Sequence, residues 1–343
     1  MDVSLPFGGI YMTAFHPTSA TLDWLLEEHD PGARYLALRD LAETDLTALA
    51  QARKLAHQHG PIAEILAAMQ PEGYWEKPGP GYGPKYRSTV WALILLAQLG
   101  ASAQENERIA TGCRYLLDHA WHPQGQLSGG EPPSYTIDCL QGNLCWTLTE
   151  LGYTDPRLEK SFEWMARTIT GEGLAPKGTK GAEMRYYAYK CGPGFQCGAN
   201  NGLPCGWGAA KIMLAFSRLP LERRTPPIER AIQQGVDFLF SVDPLTADYP
   251  REGKKPNRAW WQFGFPVFYV TDLLQVAEAL VNLGYAADPR LAGLFEFICS
   301  KQDELGRWKL EYVYGSKTWG NFGRKGQPNK WVTLRALRVL THN

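Results

Sequence analysis

Apolar positions along the chain fall into two alternating kinds of segment. In one kind nearly every position is apolar, as in STVWALILLAQLG (88–100) and CLQGNLCWTLTELG (139–152). Such a segment reads as a helix buried all round. In the other kind apolar residues recur every three or four positions, as with Leu158, Phe162, Met165 and Ala166. That spacing places one stripe on the core and leaves the opposite face to solvent. The pattern predicts buried helices over 33–41, 88–100, 135–152, 204–219, 265–284 and 330–341. It predicts amphipathic partners over 60–69, 105–120, 155–170, 226–242 and 288–302, with another near 21–30 or 44–59. Between them lie Gly/Pro-rich stretches at 71–87, 171–206 and 243–266. Loops of that length are usually functional or disordered, and their aromatic content argues for order.

The unit repeats. LGYTDPRL at 151–158 returns as LGYAADPRL at 283–291. In each copy a Gly suits a left-handed helix end and an Asp-Pro pair suits the next helix start. A buried helix, a short turn and a half-buried helix, repeated about six times, imply an all-α protein. Closure into an α/α toroid with about six inner and six outer helices is favoured over an open solenoid, because a solenoid exposes both layers at its ends. The chain is expected to form a single domain over 1–343, with 1–20 as an N-terminal extension.

Composition narrows the function. Lys+Arg and Asp+Glu are both 35, so the 343-residue chain has no basic surplus for nucleic acid. No stretch approaches the ~20 apolar residues of a membrane span. No signal peptide is apparent, and seven cysteines without an export signal read as cytosolic thiols, so a cytoplasmic protein is expected. The 12 Trp, 16 Tyr and 13 Phe suggest an aromatic-lined interior.

The residues Gln302-Asp303-Glu304-Leu305-Gly306-Arg307-Trp308 fit a Gln-x3-Gly-x-Trp repeat, and Gln70-Pro71-Glu72-Gly73-Tyr74-Trp75 is a shortened copy. With the helix-pair period, the chain resembles the terpenoid cyclase/protein prenyltransferase toroid superfamily over about 60–343. Its last segment, GQPNKWVTLRALRVL, resembles bacterial prenyltransferase or squalene-oxidase repeat proteins. The resemblance implies a Trp that ties the outer layer together, and an aromatic cavity that grips an isoprenoid. The catalytic signatures of the superfamily are absent. No Asp-x-Asp-Asp or Asp-Asp-x-x-Asp occurs, and Asp138-Cys139 lacks the Asp-x-Cys spacing of the prenyltransferase zinc site.

Three sets of candidates remain. Cys191, Cys197 and Cys205 lie in one Gly-rich loop, and Cys139 begins the preceding inner helix. Four thiolates suit tetrahedral zinc, and this set is the candidate metal site. Asp138 and Asp272 stand at corresponding ends of two inner helices, where a carboxyl among aromatic rings has a raised pKa and can act as an acid. Lys211 is expected to pair with one of them, since a buried lysine is costly alone. Tyr82, Tyr86, Tyr135, Trp207, Trp261, Phe265 and Tyr269 are expected to line the mouth and bind substrate. The reading is a small terpenoid-cyclase-like protein that acts on or binds an isoprenoid or other hydrophobic ligand, with peripheral membrane contact compatible. The alternatives are a zinc-thiolate or carboxylate enzyme of another toroid class, lanthionine cyclase-like or glycan-active, and a non-catalytic binder of hydrophobic ligands.

Overall fold

The computed structural model describes residues 15–130, 135–175, 179–180, 191–253 and 255–341. Thirteen α-helices occur among them: α1 (Ser19–Leu25), α2 (Pro31–Asp40), α3 (Leu46–Gln58), α4 (Pro61–Ala67), α5 (Thr89–Gln98), α6 (Glu107–Ala120), α7 (Asp138–Glu150), α8 (Pro156–Thr170), α9 (Gly206–Phe216), α10 (Pro226–Leu239), α11 (Leu273–Leu280), α12 (Ala292–Ser300) and α13 (Lys330–Thr341). Helices α5, α7 and α9 are buried along almost their whole length, whereas α6, α8 and α10 bury one face. No helix among the described residues is long and apolar enough to cross a membrane.

The buried helices form a ring. α5 packs on α7, α7 on α9, α9 on α11, α11 on α13 and α13 on α2. The ring closes where Gly100, at the end of α5, meets α2: a Cβ there would lie 2.6 Å from the Leu36 side chain. The partners α6, α8, α10 and α12 back α5, α7, α9 and α11 from outside. α1 backs α2, and α3 with α4 fills the wall between α2 and α5. The protein is therefore an all-α toroid of inner and outer helices. Both places considered for the first outer helix are helical, as α1 and α3. The segment 1–20 falls mostly outside the described residues, and its last two residues already belong to α1.

The repeat motif has a physical role. Trp308 is fully buried, donates its indole N–H to Ile298 O on α12 at 2.7 Å, and donates its backbone N–H to Thr333 Oγ1 on α13 at 3.0 Å. Trp75 repeats both bonds, with Ile65 O on α4 at 2.7 Å and Thr89 on α5 at 3.2 Å. In a third copy Leu127 replaces the Trp, and the Gln141 side chain on α7 bonds its backbone N–H and C=O. Each copy fastens the end of an outer helix to the inner helix that follows.

One inner helix starts late. The run FPVFYV reads as helix from 265, but α11 begins only at Leu273. The chain before it is not helical, and its polar groups bond elsewhere: Val267 donates to Gln98 Oε1 at 2.7 Å, and Gln98 returns a bond to Val267 O at 2.8 Å. Pro266 has no N–H to give to a helix.

Candidate functional site

Inner helices α7 and α9 meet more closely than side chains normally allow. A Cβ on Gly142 would lie 2.5 Å from the Lys211 carbonyl carbon, and one on Gly208 would lie 3.2 Å from the Asp138 Cβ. This contact brings the starts of both helices together at one end of the ring. The preceding loop folds back over them through paired backbone bonds, Cys197 N–H to Leu203 O and Cys205 N–H to Phe195 O. Between loop and helix starts lies a pocket of about 490 Å³. Its walls include Tyr82, Trp207, Tyr249, Trp260 and Tyr269, and its floor holds Cys139, Cys197 and Cys205.

The three thiols form a chain. Cys205 hydrogen-bonds to both Cys139 and Cys197. Its pKa is pushed up to about 12, chiefly by the bond with Cys139. The contact with Cys205, and then burial, raises Cys197 as well. Cys197 and Cys205 are therefore held as neutral thiols at neutral pH. Cys191 is fully buried outside the pocket lining, next to Asp138, and burial raises it too. Among the described residues, no group of three or more His, Cys, Asp or Glu is arranged to hold a metal ion. The prenyltransferase pattern of Asp, Cys and His does not fit either, since no histidine lines the pocket among the described residues.

The two carboxylate candidates have opposite environments. Asp138 is enclosed between α7 and α9, and its pKa stands well above the usual range, first because of burial and then because of Cys197. The Gly192 N–H bonds to the carboxyl, while Oδ2 has no hydrogen-bond partner. It lies behind the pocket and is not part of its lining. Asp272 is held by partners on every side. Arg335 on α13 holds both its oxygens at 2.8 Å, and Gly264 and Gln275 donate backbone N–H groups to it. Its role is to cap α11 and neutralise a buried guanidinium. Lys211 pairs with neither: its Nζ donates to Gln275 Oε1 on α11 at 2.6 Å. Burial holds its pKa down to about 8.

The expected substrate-binding rings divide. Tyr82, Trp207 and Tyr269 line the pocket. Tyr135 packs on Tyr82 at 5.2 Å but is half exposed outside the lining. Tyr86 stacks on Phe268 and touches Trp91 and Tyr314, plugging the mouth. Phe265 is stacked against Trp331 at 4.9 Å, deeper in the ring. Trp261 turns away and donates its indole N–H to Leu245 O. The rings thus pack mostly on one another, and the centre of the toroid is not an aromatic chamber. The cavity there is about 40 Å³ and is bordered by Asn143, Gln275, Glu278 and Arg335 among others. Sequence reasoning missed Lys85, Asn200, Tyr249, Arg251 and Asn257 on the lining. The signal for Tyr249 and Arg251 was their place in the Gly/Pro-rich stretch 243–266, one of the loops expected at the mouth.

No protein-family model matches the chain, and no curated protein matches it. Three of the solved structures that are similar to it, all at low identity, are as follows. A protein from Actinoplanes is 14% identical over 94% of this chain and 97% of that one, with a TM-score of 0.42. A mutant of a family 10 polysaccharide lyase from Cellvibrio cellulosa, in complex with trigalaturonic acid, is 14% identical over 68% and 81%, with a TM-score of 0.30. A variant of a type II terpene cyclase from Scytonema, in complex with geranylgeranyl dihydroxybenzoate, is 13% identical over 87% and 97%, with a TM-score of 0.31. The toroid rests on the helix contacts described above and not on these likenesses.

Proposed function

We propose that the protein binds a small hydrophobic molecule, of isoprenoid or similar character, in the mouth pocket above α7 and α9. The observation that carries this reading is the pocket itself. About 490 Å³ lies between five aromatic walls and a floor of cysteine side chains, within the range of small-molecule sites. The ligand sits at the mouth and is not threaded along the axis, because a 40 Å³ cavity holds only water. The test is a tryptophan-fluorescence titration with farnesol, since Trp207 and Trp260 stand in the wall. Binding that weakens about tenfold in Trp207→Ala supports the site, at the cost expected for one lost aromatic contact. Unchanged binding in that variant removes the pocket as the site.

A further inference from the structure

The thiols on the pocket floor are arranged in a line. Cys205 stands in the middle, in contact with both Cys139 and Cys197, and no group of three ligands among the described residues is arranged around one ion. A line of sulfurs serves pairs, and two thiols in contact can be joined as a disulfide. The register of the loop decides between the two pairs. Gln196 faces Pro204 across an antiparallel bridge. Cys197 therefore faces Leu203 and Cys205 faces Phe195, in keeping with the backbone bonds that each of these pairs makes. Cys197 and Cys205 are diagonal neighbours, whose Cα atoms stand ~7–8 Å apart in such a ladder. A disulfide spans Cα separations of about 4.4–6.8 Å. Cys139 and Cys205 lie instead where α7 and α9 start together. There a Cβ on Gly208 would be 3.2 Å from the Cβ of Asp138, the residue before Cys139. Backbones that close are within the reach of a disulfide. Both sulfurs are open to a small reagent, since both residues line the pocket.

We propose that Cys139 and Cys205 are a redox pair, which a small peroxide entering the pocket converts to a disulfide that fastens α7 to α9. The thiolate of one cysteine attacks a peroxide oxygen and the O–O bond breaks. Hydroxide leaves and takes up the proton that the thiol released, and the sulfur becomes a sulfenic acid. The second sulfur attacks the first, the S–O bond breaks, and a second water leaves. In sum two thiols lose two electrons and one peroxide is reduced to two waters. The pair acts as a slow latch. Thiolate is scarce at neutral pH, because the Cys205 pKa is pushed up to about 12, and closure is slow for that reason. The same lack of thiolate stabilisation disfavours the reduced form, the reverse of an oxidising dithiol with a low-pKa cysteine, so the closed bond persists.

In the experiment the intact, fully reduced protein is held with hydrogen peroxide at pH 8. Its remaining thiols are blocked with iodoacetamide in denaturant, and its peptides are sequenced by mass spectrometry without reduction. The expected result is a cross-link between Cys139 and Cys205 that dithiothreitol reverses. The oxidised protein should also have a higher Tm, because the bond closes the long loop through α7 and α8. Cys197→Ser should leave the cross-link in place, and Cys205→Ser should remove it. Should Cys205→Ser fail to fold, the peptide map of the native protein decides the matter. Absence of any cross-link, a bond that joins Cys197 to Cys205, or a fall in Tm on closure overturns the proposal. None of these results bears on farnesol binding by the reduced protein, so the hydrophobic-ligand reading stands or falls separately.

Discussion

Replacing Lys211 with Met isolates the cost of a charge inside the ring. Lys211 is 1% exposed, and among the described residues it hydrogen-bonds to the neutral Gln275 side chain. Its pKa falls from 10.5 to about 8 because burial disfavours the ammonium. At about 1.36 kcal/mol per unit, the protonated form costs roughly 3 kcal/mol of stability. The sign follows from proton counts. Below pH 8 both folded and unfolded chains hold the proton, so the cost is present in full. Between 8 and 10.5 the folded chain has released it while the unfolded chain still binds it, so stability rises with pH. Integrated to pH 10, the gain is roughly 2.5 kcal/mol. The Met variant lacks this gain, and it loses the Gln275 bond by an amount that does not vary with pH. Urea unfolding of both proteins from pH 7 to 10 should therefore show the native protein gaining roughly 2 to 3 kcal/mol on the variant. Other titrating groups cancel in the difference. A difference that stays flat over that range would refute the argument, because it would mean that the lysine is hydrated or carries a counter-charge.

Two further substitutions test the packing that builds the site. Gly142→Ala puts a methyl group against the α9 backbone, and a loss of about 1–3 kcal/mol in urea unfolding is expected; an unchanged midpoint would mean that α7 and α9 do not touch there. Arg335→Met leaves the Asp272 carboxylate buried without its partner, which should cost about 3–5 kcal/mol; a loss below about 1 kcal/mol would return Asp272 to the list of candidate acids.

The ring was legible because burial leaves a mark on every position of a helix. The uniformly apolar runs became α5, α7 and α9, and the striped ones became α6, α8 and α10. The punctuation was legible for the same local reason. Asp155 and Asp288 accept from the N–H groups of Arg157 and Arg290, and Gly152 and Gly284 have positive φ. The site was less so. Whether Trp261 faces the pocket or Leu245 depends on the path of a loop, which no periodicity encodes. The partner of Lys211 depended on the rotation of α11 about its axis: Gln275, one turn beyond Asp272, is the residue that faces it, while Asp272 faces Arg335. The convergence of Cys139 and Cys205 was readable from the shared end of neighbouring inner helices. That Cys191 would sit behind them was not, because it depends on how the loop folds back.

The closing seam joins the two ends of the chain. Thr21 on α1 donates to Leu305 O, Lys330 pairs with Glu27, and Arg338 on α13 holds Asp40 at the end of α2. Most of the other neighbouring pairs are adjacent in sequence, so they can dock as the chain emerges during synthesis. The seam spans some 300 residues and waits for α13. Until then α2 presents an apolar side with nothing to cover it, and the nascent chain is an open arc. A ribosome stalled before α13 would hold that arc exposed, where a chaperone, or a second arc from a neighbouring ribosome, could take the place of the missing helix. The same seam sets the first residue of α13, Lys330, beside Glu27, just past the end of α1, so the last helix of the ring is anchored to some of the first described residues.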